Sequence, residues 1–409
     1  MTAFPLPLFE LLGKYGEYAV YLAIGFAFGF VLEISGFGKS TKLAAQFYFK
    51  DLTVLKVMFT AIVVAMVLIS SATALGFLDY NRIWVNPTYL WPGILGGLIM
   101  GFGFILGGFC PGTSLVSAAT AKLDGLLFAL GVFFGIFVFG ETVQAFDGFW
   151  HSSYFGRLTL MDWLNLNTGV VVLLLVLMAL FMFWGSEQLE KIFGGKDPKK
   201  APKLRYAGAG ILVAIAVFLV IFGQPTTADK WSRLSLEKQI SLDERQVQIH
   251  PGELLDSIHN QSLKIIMLDV RTEADFNLFH IQHANHAPLE QISSMVAELL
   301  LEPSNTLIVV MSNDEAAATE AWKILTAESV PNVYILEGGI NYWLATFQEG
   351  ASDKTAALNL KASDNLRYDF NIALGARHPA ADPDPHEFEL EYTPKVKLQV
   401  KKALSGGCG

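Results

Sequence analysis

Cysteine is nearly missing from this chain: 409 residues contain two. That excludes a disulfide scaffold, and no Cys/His cluster has metal-ligand spacing, so no metal or other cofactor is implied. An excess of positive charge is missing as well. The formal net charge is -9, carried mainly by the second half, which argues against nucleic acid as a partner. The opening stretch, MTAFPLPLFELLGKYGE, has no basic n-region and no small-residue cleavage site, so no removable signal peptide is expected. The first apolar helix is expected to serve as the insertion signal and to stay. Charge of either sign is scarce up to about residue 225, where Phe, Leu, Val and Gly are dense. Beyond it the composition becomes that of an ordinary soluble protein, so length and composition together call for more than one domain.

Six apolar stretches are long enough to cross a hydrocarbon core about 30 Å thick: residues 17–34, 53–77, 89–109, 124–146, 168–184 and 206–222. Tyr15, Tyr18, Tyr89, Trp91, Trp163 and Trp184 fall near their ends, as interfacial aromatics do. Lys39, Lys42 and Lys50 follow the first span, Lys122 the third, and a basic cluster at 191–205 the fifth. All three connections lie on one side of a six-span chain, which the positive-inside rule makes cytoplasmic. Both termini, and the soluble part, are then expected outside, in the periplasm of a bacterium whose inner membrane holds the spans.

The stretch GLIMGFGFILGGFCPGTSLVSAATAKLDG, residues 97–125, organises the first part. A glycine-rich apolar helix breaks at Gly107-Gly108-Phe109-Cys110-Pro111-Gly112, and a short helix, 113–121, is expected to follow. Broken backbone at membrane depth leaves N–H and C=O groups that lipid cannot satisfy, so it persists only inside protein or beside an aqueous cavity. Gly and Pro can also simply kink a packed helix; the thiol at the break favours a site. A helix start capped by Thr or Ser there would aim amide donors and a positive dipole end at an anion. Shifting the chain by 72 residues lays Gly36-Phe37-Gly38-Lys39-Ser40-Thr41 on Gly108-Phe109-Cys110-Pro111-Gly112-Thr113. Paired, interrupted segments of this kind point to a transport site between internal repeats. The candidate substrate-binding residues are therefore Gly108, Cys110, Pro111, Gly112, Thr113 and Ser114, with Gly36, Gly38, Ser40 and Thr41 from the first copy. Glu33, an acid inside a span, is the candidate for proton coupling.

From Asp229 the pattern is soluble α/β. A helix is expected near 250–258, strands at 263–270, 306–311 and 333–336, and helices at 315–325 and 340–347; alternation of this kind implies a parallel sheet covered on both faces. The boundaries follow as 1–228 for the membrane domain, 229–350 for the α/β domain and 351–409 for a tail. In the tail, 387–400 is read as one or two strands, with Pro385 and Pro394 marking their ends.

The residues Leu268-Asp269-Val270-Arg271, Asp275-Phe276, His280-Ile281, Pro288-Leu289 and Leu336-Glu337-Gly338-Gly339 with Trp343 resemble the rhodanese family. The resemblance implies a nucleophilic cysteine after the fourth strand, in a loop whose amides and basic side chains cradle a persulfide. This chain has Ser312 there, followed by Asn313, Asp314 and Glu315. Sulfur transfer needs a thiolate able to carry a second sulfur, so the loop is not expected to act as a sulfurtransferase. Asp269 and Arg271 are expected to form a structural ion pair. The other cysteine, Cys408, sits on a terminal Ser-Gly-Gly-Cys-Gly arm and is a candidate sulfur carrier.

With that partner domain in view, the Gly-x3-Gly helix leading into Gly107-Gly108-Phe109-Cys110-Pro111-Gly112 resembles the YeeE/YedE family of sulfur-compound transporters over roughly 23–140. The resemblance implies uptake of thiosulfate or a related sulfur anion, relayed through pore thiols, of which only Cys110 is present here. Three readings stay open: a transporter with the soluble domain capturing or handing over substrate, a membrane-anchored sulfurtransferase using Cys408, or a pseudo-rhodanese that docks a sulfur-carrier protein beside a channel.

Overall fold

The computed structural model describes residues 4, 6, 8–195, 204–347, 364–388 and 390–398. They form two compact units, divided between Gln224 and Pro225. The first is helical. Helix α1 spans Leu8–Ile34, with non-helical backbone at Gly13; α2 is the short Ser40–Ala44, and α3 spans Thr53–Ala74. Then come α4, Leu90–Gly107, α5, Pro111–Ala119, and α6, Leu123–Thr142. Two single-turn helices, α7 (Asp147–Trp150) and α8 (Leu160–Leu164), precede α9, Thr168–Phe193, and α10, Leu204–Phe222.

Six helical stretches are long and apolar enough to cross a membrane, in the places expected: Leu8–Ile34, Thr53–Ala74, Leu90–Ala119, Leu123–Trp150, Thr168–Phe193 and Leu204–Phe222. The first starts before the expected position 17, where Leu8, Phe9, Leu11 and Leu12 extend it, and the fifth runs past Trp184 to Phe193, where a more polar turn continues the helix. Helices α3, α9 and α10 pack through residues such as Val67, Val176, Ala179 and Ala216. Small side chains let the backbones approach: a Cβ on Gly169 would meet the backbone of Leu219 and Val220. At the end of α9 the buried Glu190 accepts from the Leu52 N–H and from Lys56 Nζ, both at 2.6 Å, which ties α9 to the start of α3. Nothing in the sequence pattern singled out that pair, whose members lie 134 residues apart.

The second unit begins with α11, Thr227–Asp243, then β1 (Gln248–Ile249), α12 (Pro251–Ile258), β2 (Lys264–Asp269) and α13 (Glu273–Leu278). It continues with β3 (Asn285–His286), α14 (Ile292–Leu299), β4 (Thr306–Met311), α15 (Ala316–Ala327), β5 (Val333–Leu336) and α16 (Gly339–Phe347). The strands form one parallel sheet in the order β1-β5-β4-β2-β3. Successive strand side chains point to opposite faces, and β4 divides accordingly. Ile308 and Val310 join one core with Trp322 and Leu325 of α15, while Leu307, Val309 and Met311 join the other with Ile340 and Trp343 of α16.

The tail does not form the expected strands; among the described residues, 390–398 carries no regular structure. Its backbone donors go to side chains instead of a strand ladder. Lys395 and Val396 N–H donate to Glu253 Oε1 at 2.7 and 2.8 Å, and Lys397 N–H donates to the Tyr334 hydroxyl at 2.8 Å. Earlier in the tail, Phe370 stacks on Phe279, and Trp343 Nε1 donates to the Ala380 carbonyl at 2.7 Å. The described tail residues therefore complete the second core.

Candidate functional site

Both glycine-broken segments end their first helix alike. Helix α4 stops where Gly108 takes a left-handed conformation (φ 70°), and Phe109 turns into the protein at 1% exposure. Helix α1 stops at Ile34, Gly36 has φ 76°, and Phe37 is likewise 1% exposed. Phe37 and Phe109 share one cluster with Leu43 and Val54. A Cβ on Gly108 would lie 3.1 Å from both Cβ and the carbonyl oxygen of Ser40, so the two breaks are in contact. Glycine is required there for its φ and for the close approach alike.

The chain restarts at Cys110. This residue is the N-cap of α5, with Pro111 at the first helical position, where a missing N–H costs nothing. The helix thus begins two positions before the expected Thr113, and its cap is a sulfur rather than a hydroxyl. Thr113 N–H donates to Cys110 Sγ at 3.4 Å, and Cys110 N–H donates to Thr113 Oγ1 at 3.0 Å, a reciprocal capping box. The thiol is partly exposed.

Two of the candidate hydroxyls are turned to protein acceptors. Ser114 Oγ donates to the Pro111 carbonyl at 2.7 Å, and Ser40 Oγ to Asp124 at 3.0 Å. Thr41 is exposed. In the first turn of α5, helix geometry leaves the Gly112 N–H without an intrahelical acceptor. Gly38 is buried beside Glu33 and Lys122.

Glu33 is not an isolated acid. Lys122 Nζ lies 3.2 Å from Glu33 Oε1 and donates to the Gly38 carbonyl at 3.1 Å, linking the end of α1 to the turn before α6. Sequence spacing gave no sign of this pairing across 89 residues. Lys122→Met removes the donor of two acceptors and is expected to lower the stability of the detergent-solubilised protein by about 1 kcal/mol, since both side chains are partly exposed. Glu33→Gln, which keeps an acceptor, is expected to cost less; thermal melting of the two variants checks the order.

In the α/β unit, Ser312 directly follows β4 and is 1% exposed, its hydroxyl accepting from the Ala318 N–H at 3.3 Å. Beneath it lies the expected ion pair: Arg271 Nη2 meets Asp269 Oδ2 at 2.6 Å, and both residues are buried. Arg271 also donates to the Phe279 carbonyl at 2.7 Å and to Asn313 Oδ1 at 3.3 Å. Glu315 is held by Arg245, 2.6 Å away, and accepts from the Gly338 N–H at 2.7 Å. Burial works against the Arg245 charge, but Glu315 and Glu337 outweigh it and raise the pKa. Burial also pushes the Asp314 carboxyl above the usual carboxylate range, opposed by the Asn341 hydrogen bond and the charge of Arg367. Cys408 lies outside the described residues.

Comparison with known families matches the Sulphur transport family over residues 35–238 and the rhodanese-like domain over residues 250–346. The chain carries a Sulphur transport region followed by a rhodanese-like domain. No curated protein and no solved structure matches it. Both resemblances read from the residues therefore hold, the first of them reaching well beyond residue 140. The Sulphur transport match covers the Cys110 break and five of the six apolar stretches in full, so the helical unit is that of a multi-pass membrane protein for sulfur compounds.

Proposed function

We propose that the helical unit carries thiosulfate, or a sulfur anion of the same build, past Cys110. The observation that carries this reading is the placement of a partly exposed thiol as the N-cap of α5, where two interrupted segments touch. Thiosulfate joins a hard oxyanion to one soft terminal sulfur. A thiol offers the soft end a polarisable contact and a weak donor, and the positive end of α5 with the Gly112 amide suits the oxyanion. An internal repeat underlies the site in this reading. It is supported by the 72-residue shift that pairs Gly36 with Gly108 and Phe37 with Phe109, residues alike in φ and in burial.

In this reading the loops after the first, third and fifth spans are cytoplasmic and the rhodanese-like domain lies in the periplasm, outside a bacterial inner membrane, an orientation supported by the basic residues in those connections. There it captures or hands over the anion, alone or with a sulfur-carrier protein. Ser312 where the family has its nucleophile fits that auxiliary role better than turnover.

Uptake of radiolabelled thiosulfate into membrane vesicles tests the proposal. Cys110→Ala is expected to slow uptake at least about tenfold, equivalent to roughly 1.4 kcal/mol on the barrier. Cys110→Ser, whose oxygen can still cap α5, separates the soft contact from the helix start and is expected to be slow as well. Wild-type rates in both variants would remove the thiol from the mechanism. Unlabelled thiosulfate should compete and sulfate should not; equal competition by sulfate would reject the soft-sulfur selectivity.

A further inference from the structure

The loop leading from β4 into α15 presents a row of amide donors that the chain fills by itself. Asp314 N–H donates to Asp364 Oδ1 at 2.6 Å, and Ala317 N–H donates to Asp364 Oδ2 at 2.7 Å. The next amide, that of Ala318, goes to Ser312 Oγ. A carboxylate and the hydroxyl after β4 thus share one cradle, at the positive end of a twelve-residue helix. The carboxylate arrives from the tail, about fifty residues away in sequence.

Asp364 is held there at some cost. Its backbone is left-handed (φ 54°), a conformation that a non-glycine residue keeps only where its surroundings enforce it. The enforcement is visible. Asn313 Nδ2 donates to the Asp364 carbonyl at 3.0 Å, Asn341 Nδ2 to the Asn365 carbonyl at 3.0 Å, and Arg367 N–H to Asn341 Oδ1 at 2.8 Å. Arg367 also pairs with the Asp314 carboxylate. The second oxygen of that carboxylate, Asp314 Oδ2, is buried without a hydrogen-bond partner among the described residues. Three acidic side chains, Asp314, Glu315 and Asp364, therefore crowd a loop whose amides bind one of them.

We propose that Asp364 is an internal stand-in for an oxyanion, and that the segment 364–367 is a strap that keeps the cradle closed until it lifts. A small anion then competes with Asp364 for the Asp314 and Ala317 amides. The Asp314 and Ala317 amides are filled in the resting state, whatever the helical unit carries, and lifting the strap exposes an anion site beside Ser312.

A thiol placed at position 312 reports whether the cradle is open. In a Cys110→Ser, Cys408→Ser background of the full-length protein in detergent, Ser312→Cys supplies a thiolate. That thiolate attacks the outer sulfur of thiosulfate; the S–S bond breaks, sulfite leaves with the bonding pair, and the introduced cysteine holds a persulfide. Added cyanide takes the outer sulfur as thiocyanate and returns the thiolate, so atoms and electrons balance over the cycle. With Asp364 intact, thiocyanate formation is expected to be at least about tenfold slower than with Asp364→Ala, a difference of one decade. Equal rates with and without Asp364, including no turnover in either, overturn the proposal. Should Asp364→Ala not fold, Arg367→Ala loosens the strap and leaves the carboxylate in place. It is expected to give a smaller rise, and no rise there overturns the proposal equally.

Discussion

Gly339→Ala is expected to leave the rhodanese-like domain unfolded. Gly339 has φ 61°, and a Cβ there would collide with the carbonyl oxygens of Ser312, Asn313 and Asp314. Those carbonyls cannot step aside, because Ser312 O accepts from the Ile340 N–H at 2.9 Å and Asn313 O from the Asn341 N–H at 3.0 Å. The first turn of α16 is thus seated on the loop after β4 through its own amides. The left-handed conformation alone costs about 1 kcal/mol for alanine, and overpacking against backbone adds more, so a total above roughly 4 kcal/mol is expected. Emission from the buried Trp322 and Trp343, followed through a denaturant titration, reads the loss. Gly338→Ala is the comparison: its φ is also 61°, but the added Cβ would meet the one side chain of Tyr342, 2.6 Å from its Cβ, rather than three backbone carbonyls. A transition for Gly339→Ala no worse than that of Gly338→Ala would mean that the loop and α16 are not seated as described.

The contrast between those two glycines also marks what the sequence could reveal. A Gly-Gly pair after a strand-like run announces a turn, and it helped to identify the fold family, but it does not say which glycine abuts a distant loop. Continuous apolar runs placed β2, β4 and β5: all six residues of β4 and all four of β5 are buried, and β2 is buried over its second half. It could not place β1 or β3, which have two residues each. Helix α11 was missed for a different reason. It is mostly polar on average, and only Trp231 and Leu242 reach the first core. The tail's share in the core was not foreseen because Phe370, Ala380 and Ala381 are spread among Pro and Asp with no period, yet each packs on the second core. In the helical unit the break at Gly108-Phe109-Cys110 was legible, since so many helix-breaking residues have no place in an uninterrupted span. The identity of the cap was not: Thr and Ser lead the usual order of preference, and a cysteine sulfur took the role. Long-range charge pairs, such as Glu33 with Lys122 or Lys56 with Glu190, leave no local signature at all.

Asp269 and Arg271 are the exception, a charge pair that a motif did announce, and breaking it is expected to have the second largest effect. The two side chains are 0% and 1% exposed, with Arg271 Nε 2.9 and 3.1 Å from the two carboxylate oxygens and Nη2 2.6 Å from one. Arg271→Met keeps the apolar stem but strands Asp269 as a buried charge, and removing one partner of such a pair typically costs 3–5 kcal/mol, so about that loss is expected. At roughly 2–4 °C per kcal/mol for a domain of this size, the melting temperature should fall by on the order of 10 °C. Asp269→Asn, Arg271→Met together should recover part of that loss, since the stranded charge is gone. Recovery will be incomplete, because Arg271 also serves the Phe279 carbonyl and Asn313. Asn313 in turn donates to Asp275 and to the Asp364 carbonyl, so a cavity beneath it loosens the strap from below. Arg271→Met should therefore raise the accessibility of a thiol introduced at position 312 at temperatures well below its melting point. A variant that melts early yet leaves that thiol as protected as before would separate the buried pair from the loop above it.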